Sequence, residues 1–222
     1  MPRRSKPSVN FHQERFRQIS EAHCGPAVLQ MLLSNLGIDV SQEAIAEAGG
    51  AADLIDLHGM RVDQLALAVA RLAPRVIFYH KDHATLEELV QVVNHYRYPV
   101  GVEWQGLFEH DRDAQGVIEP AGEAESLLPS DSESEDEDYG HYSVVVHADR
   151  RKKILLIADP YKDYYDQARI FRLTDFEARW YDYNEVVDPL TGRSVLIEDV
   201  HMMFLVAPKN VLFPLRMNFS AH

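Results

Sequence analysis

The chain has 222 residues, 46% of them hydrophobic, and 35 acids against 22 bases give it a net charge of -13. That size and composition read as one substantial soluble globular domain, and the acidic balance excludes a generic nucleic-acid surface, which needs a basic footprint. No stretch has the length and apolarity of a membrane span. The basic start, MPRRSKPSVNFHQERF, lacks the apolar segment of a secretory signal.

The first helical signal is EAHCGPAVLQMLLSNLG, residues 21–37. Val28, Leu29, Leu32, Leu33 and Leu36 fall on one helical face. Pro26 is tolerated in a first turn, and Gly37 followed by Ile38 predicts a C-cap with an apolar follow-on contact. Ser41 caps a second, short helix, SQEAIAEA, ended by Gly49-Gly50, and a third places Val62, Leu65, Val69 and Leu72 on one stripe before Pro74. RVIFYH (75–80) then reads as a strand, and Thr85 with Glu88 forms a capping box for the helix TLEELVQVVNHY.

From there the texture changes to strands rich in β-branched residues: YPVGVEW (98–104), HYSVVVH (141–147), KILLIA (153–158), ARIFRL (168–173) and HMMFLVA (201–207). One late helix, TDFEARW, carries a Thr174/Glu177 capping box. Residues 109–138 have little periodicity and an excess of acids, Ser, Pro and Gly; DSESEDED (131–138) alone has six acids. They read as a disordered acidic loop insertion. Helices first and strands after predict an α+β protein. It is taken as a single domain, 1–222, with a helical part at about 18–97 and a sheet part at about 98–210.

Cys24 is the only cysteine. It excludes an internal disulfide framework and leaves a free thiol suited to a reducing cytosol. Its place at or near a helix N-cap means that the dipole and free backbone N–H groups there favour a thiolate and can hold an oxyanion. A buried, inert filler is the plain alternative. A nucleophile needs a base, and the chain has 11 histidines. His141 opens the core strand GHYSVVVH behind Gly140, with a fixed backbone and an accessible ring; His147, further along the strand, is its chief rival.

His23 adjoins the cysteine but projects differently, while His58, His80 and His83 fall in loops or turns. Asp159 ends KILLIA in Ala158-Asp159-Pro160. Counted outward from a turn near Arg150, it and His141 are equally distant, so a hairpin sets the carboxylate across from the imidazole. Gln18, six residues before Cys24, can add an amide to an oxyanion site, although Gln13 is an equally plain glutamine. Tyr161, Tyr164 and Tyr165 suit either a peptide groove or ordinary packing. His58, His80, His83 and His95 have no metal-ligand spacing with Cys24, so neither zinc nor another cofactor is expected.

Gln18, Cys24-Gly25-Pro26-Ala27, the Leu-rich helix to Gly37 and the Ser41-led helix resemble the bacteriocin-processing cysteine peptidases, which are family 39-like. These are papain-like domains that cut leader peptides after a double glycine. The likeness continues through TLEEL, PVGVEW, GHYSVVV, ADPY and the helix ending in Trp180, over roughly residues 13–207. It implies a papain-like fold with the cysteine on a helical lobe and the histidine and aspartate on the sheet. It further implies Cys24 as nucleophile, His141 as base, Asp159 as orienting acid and Gln18 as oxyanion donor.

Three features depart from the pattern: His23 stands before the cysteine, the acidic insertion before His141 is long, and no transporter span accompanies the domain. The expectation is a cytoplasmic thiol peptidase acting on a peptide or protein substrate, with no nucleic-acid partner. The alternatives are a papain-like acyltransferase or transpeptidase, and a non-catalytic peptide-binding module.

Overall fold

The computed structural model describes residues 14–106, 140–187 and 192–222. The acidic tract, and with it the disorder expected at 109–138, lies outside the described residues. Four helices lead: α1 (Cys24–Ser34), α2 (Gln42–Gly49), α3 (Ile55–His58) and α4 (Val62–Leu72). After β1 (Val76–Lys81) comes α5 (Leu86–Val90), which widens into a π-helical turn over Gln91–Tyr96. Then follow β2 (Val100–Gln105), β3 (Gly140–Asp149), β4 (Ile154–Ala158), β5 (Arg169–Arg172) and α6 (Leu173–Ala178). The chain ends with β6 (Tyr181–Val187), β7 (Ser194–Val200), β8 (Met203–Pro208) and β9 (Ser220–Ala221).

Seven strands form one antiparallel sheet in the order β5-β4-β3-β2-β8-β1-β9, and β6 and β7 pair as a separate ribbon. The fold is α+β, a helical layer on an antiparallel sheet, as the element order predicts, and papain-like, as the resemblance implies. RVIFYH is β1, so His80 lies on a strand rather than in a loop.

α1 is buried on nearly every side, from Cys24 through Leu29 and from Met31 through Leu33, because it runs against β3 and between α2 and α4. Burying each large apolar side chain in it contributes on the order of 1.5–3 kcal/mol. Its end is the predicted one. Ile38 N–H donates to Leu33 O (3.1 Å) and Gly37 N–H to Ser34 O (2.8 Å), with Gly37 at φ 75°, a left-handed turn open to glycine. Ser41 accepts from Ala44 N–H, and Thr85 with Glu88 forms its capping box. The Thr174/Glu177 box does not form. α6 begins one residue earlier, at Leu173, and the Thr174 hydroxyl turns to Asp175 instead.

The sheet separates two cores. Tyr142 and Val144 of β3 join α1, α2 and α4 on one face, while Val145 and Ala148 join Trp104, Leu155, Ile157, Phe176 and Trp180 on the other. A β-bulge between Val145 and His147 shifts the register of β3 against β4.

Candidate active site

α1 begins at Cys24, with His23 as its N-cap residue, and no side chain caps the first turn. The positive end of the helix dipole therefore falls on the Cys24 side chain. Cys24 is 9% exposed at the rim of the helical core. Gly25 lets this turn lie close to its neighbours: a Cβ there would stand 3.2 Å from the Met60 carbonyl and 3.4 Å from the Tyr142 ring.

His141 enters from β3, nearly completely buried, and its Nε2 pairs with Asp159 Oδ1 at 2.8 Å. The Cys24 side chain lies close enough to favour the charged ring, and with Nε2 on Asp159 the free ring nitrogen is Nδ1. Burial works against a charged ring, but the Asp159 carboxylate and then Cys24 outweigh it and push the His141 pKa up to about 9.

Asp159 follows β4. The matched count that predicted a directly opposite pair is out because the turn centres between Arg151 and Lys152 rather than at Arg150, with Asp149 paired to Ile154. β4 pairs Ala158 with Val144, so Asp159 continues opposite Ser143 and reaches His141 as a diagonal neighbour on the same face. Its Oδ1 also accepts from Tyr161 N–H at 2.9 Å, and its Oδ2 takes Arg169 Nη1 at 2.5 Å. Burial raises the Asp159 pKa, yet His141, Arg169 and the Tyr161 amide together bring it down to about 2.

Gln18 is pinned to the same loop, its N–H donating to Pro160 O at 2.9 Å. Its side-chain Nε2 donates to the carbonyls of Ser20 (2.8 Å) and Glu21 (3.0 Å). A substrate oxygen would compete with those carbonyls for the amide protons. Gln18 Oε1 is buried without a partner among the described residues.

His23 Nδ1 is bonded to Ser20 Oγ at 2.6 Å. His147 lies beyond the bulge, and His58 ends α3. Of the three tyrosines, Tyr161 meets the His141 ring edge-on at 6.2 Å and Tyr164 lies 3.9 Å under the Arg169 guanidinium, while Tyr165 is exposed.

Three residues here, Glu103 and Tyr142 buried and Arg169 largely so, escape a reading of the sequence alone. Arg169 looks like a polar strand start, and its signal is the aromatic company of Tyr164 and Phe171. Glu103 and Tyr142 face each other across the β2–β3 ladder on the helical side. Asn184 Nδ2 donates to Glu103 Oε1 at 3.4 Å, and the Tyr142 hydroxyl lies buried beside the same carboxyl. An acid inside a strand otherwise made of Val, Gly and Trp is the trace they leave in the sequence.

A thiol, an imidazole on its far side bonded to a carboxylate, and a helix N-terminus together can support nucleophilic acyl chemistry. Among the described residues no group of three His, Cys, Asp or Glu side chains can hold a metal ion, and no helix is long and apolar enough to cross a membrane.

Two solved structures are similar to the chain. The peptidase domain of Streptococcus ComA, a bi-functional ABC transporter involved in a quorum sensing pathway, is 19% identical, with a TM-score of 0.52 over 89% of this chain and 100% of that one. A double glycine motif protease from an AMS/PCAT transporter, solved in complex with the leader peptide, is 14% identical, with a TM-score of 0.49 over 93% and 96%. A search of the curated proteins finds no match. The profile of the Peptidase_C39 like family matches residues 10–187, more than half of the chain and every residue of the cluster just described. The chain belongs to the Peptidase_C39 like family.

Proposed function

We propose that the chain is a cysteine peptidase, with Cys24 as nucleophile, His141 as acid and base, Asp159 as the orienting carboxylate and Gln18 as an oxyanion donor. The observation that carries the reading is the buried His141 ring, bonded at 2.8 Å to Asp159 and held charged in part by the Cys24 side chain at the start of α1. Family membership and the likeness to a peptidase domain point to the same chemistry.

A histidine that holds its proton to about pH 9 is an imidazolium at neutral pH, the partner a thiolate needs. The Cys24 thiolate attacks the amide carbonyl. The carbonyl oxygen becomes an oxyanion facing the Cys24 N–H and the Gln18 amide. His141 gives its proton to the departing amine as the C–N bond breaks, leaving a thioester on Cys24. His141, now neutral, takes a proton from water as that water attacks the thioester, and the thiolate and imidazolium return with the acid product. The balance closes with water alone. A free thiol of this kind works in a reducing compartment, so the cytoplasm is the proposed location.

The test is peptide cleavage, followed by mass spectrometry of the products, for the wild type and Cys24→Ala with and without an added amine. The expected result is hydrolysis by the wild type and none by the variant. Cleavage that survives Cys24→Ala overturns the assignment, and amine-capped products replace hydrolysis with acyl transfer.

A further inference from the structure

Asp159 has two carboxylate oxygens, and they are held by different groups. Oδ1 accepts from His141 Nε2 and from Tyr161 N–H, while Oδ2 faces Arg169 Nη1. Arg169 is itself held. It begins β5, where its backbone pairs with Ile157, two residues before Asp159 and on the same face of the sheet. Its guanidinium lies 3.9 Å from the Tyr164 ring centroid, 4.9 Å from Phe171 and 5.9 Å from Trp104, and its side chain is 13% exposed. A planar cation stacked among three rings has little rotational freedom.

The titratable and charged groups around Asp159 are few. His141 comes from β3 with Cys24 beyond it, Arg169 comes from β5, and the rings of Tyr161 and Tyr164 lie alongside. Tyr142 of β3 interacts with Cys24 as well as with Glu103 and Asp182.

We propose that Arg169 is a positioning residue of the peptidase reaction: by holding Asp159 Oδ2 it keeps the carboxylate turned and ionised with Oδ1 toward His141 at every stage of the cycle. The inference rests on the peptidase reading above. Its physical content appears when His141 loses its proton to the leaving amine. At that moment a buried Asp159 would face a neutral ring, and a buried carboxylate without a cation is costly. It would draw the Nε2 proton toward itself or rotate away. Arg169 remains charged throughout, so Asp159 stays an acceptor, and neutral His141 keeps its proton on Nε2 with Nδ1 free to deprotonate water.

The experiment compares wild type, Arg169→Gln and Arg169→Lys, with rates expressed per thiol titrated by an irreversible electrophile, so that loss of folded protein is divided out. For Arg169→Gln the expected kcat is down about tenfold or more with KM within about twofold, and the acid limb of kcat moves up by about one pH unit or more, since an adjacent cation lowers a carboxyl pKa by roughly 1–3 units. Arg169→Lys, a point charge without the stacking plane, restores the acid limb but only part of kcat. A residue with a merely structural role would lower the titrated fraction and leave both the rate per thiol and the acid limb in place, and that result overturns the proposal.

Nitrogen-15 NMR of His141 separates this from the peptidase reading. Should the wild type show no Cys24-dependent turnover, the reading fails, and the NMR alone decides Arg169. Neutral His141 protonated at Nε2 in wild type but a mixture of tautomers in Arg169→Gln supports the positioning role. One unchanged tautomer in both proteins, whatever the turnover, overturns it.

Discussion

Asp159 and Glu103 are both acids buried to within 2% of full enclosure, and they lie on either side of the His141–Tyr142 step of β3. Burial pushes the pKa of each upward. Around Asp159 that push is reversed by His141, Arg169 and the Tyr161 N–H, and the carboxyl falls to about 2. Around Glu103 it is not. The Tyr142 hydroxyl, Asp182 and Asn184 lower it somewhat and Asp199 adds repulsion, so its pKa stands at about 7. Enclosure is the same in both places, and the partners decide the charge. The carboxylate kept ionised touches the His141 imidazole, while the one raised to about 7 fills the interior of the helical side.

The sharpest way to break this contrast is Asp159→Asn. An amide of equal size cannot hold the imidazolium, and loss of the carboxylate in a nucleophile–histidine–acid site costs roughly 10²- to 10⁴-fold in kcat. The pH profile carries the sign. His141 holds its proton above the usual histidine value of 6.5, to about 9, mainly because Asp159 outweighs the burial that opposes it. The charged ring therefore contributes stability in full below 6.5 and loses it as pH rises through about 9. In Asp159→Asn the alkaline limb of turnover moves below the wild-type position. A limb that stays put separates Asp159 from the imidazole and ends the comparison.

Glu103→Gln is the smaller perturbation. A carboxyl raised from 4.5 to about 7 costs the fold stability as pH climbs through that window, because the unfolded chain ionises first. Asp159 runs the other way: its contribution is present above 3.8 and lost as pH falls through about 2. Glu103→Gln should flatten the decline in unfolding free energy between about pH 4.5 and 7, while turnover stays within about threefold of wild type. Denaturant titrations at several pH values, set beside a peptide assay, check both. A loss of turnover approaching that of Asp159→Asn would place Glu103 among the working groups.

The readable parts of the molecule are those in which a local rule and the tertiary environment agree. α1 and its Gly37 end follow from apolar spacing and a glycine at positive φ, and Ser41 and Thr85 cap as their neighbours suggest. Cys24, His141 and Asp159 were legible as a constellation, although the β3–β4 turn lies past Arg150, which makes the last two diagonal rather than opposite. Where only tertiary context decides, the sequence is silent. The inward residues of β6 are polar, Asp182 and Asn184, while Val195, Leu196 and Ile197 of β7 are exposed, so no apolar face imposes an alternating pattern on the ribbon. Arg169 and Glu103 are invisible for a related reason. A charged residue in a strand segment reads as solvated, and only the fold shows one ringed by aromatic side chains and the other sealed behind α1.

The central claim is that Cys24 carries the acyl group of a peptide. Acid-quenching the enzyme during turnover of a cleaved peptide and locating any adduct by tandem mass spectrometry tests it directly. The account predicts a thioester on Cys24 with the mass of the N-terminal product, absent in Cys24→Ala and accumulating when His141 is replaced by Gln after brief exposure to an activated ester. Steady cleavage with no adduct on Cys24, undiminished in Cys24→Ala, would contradict it.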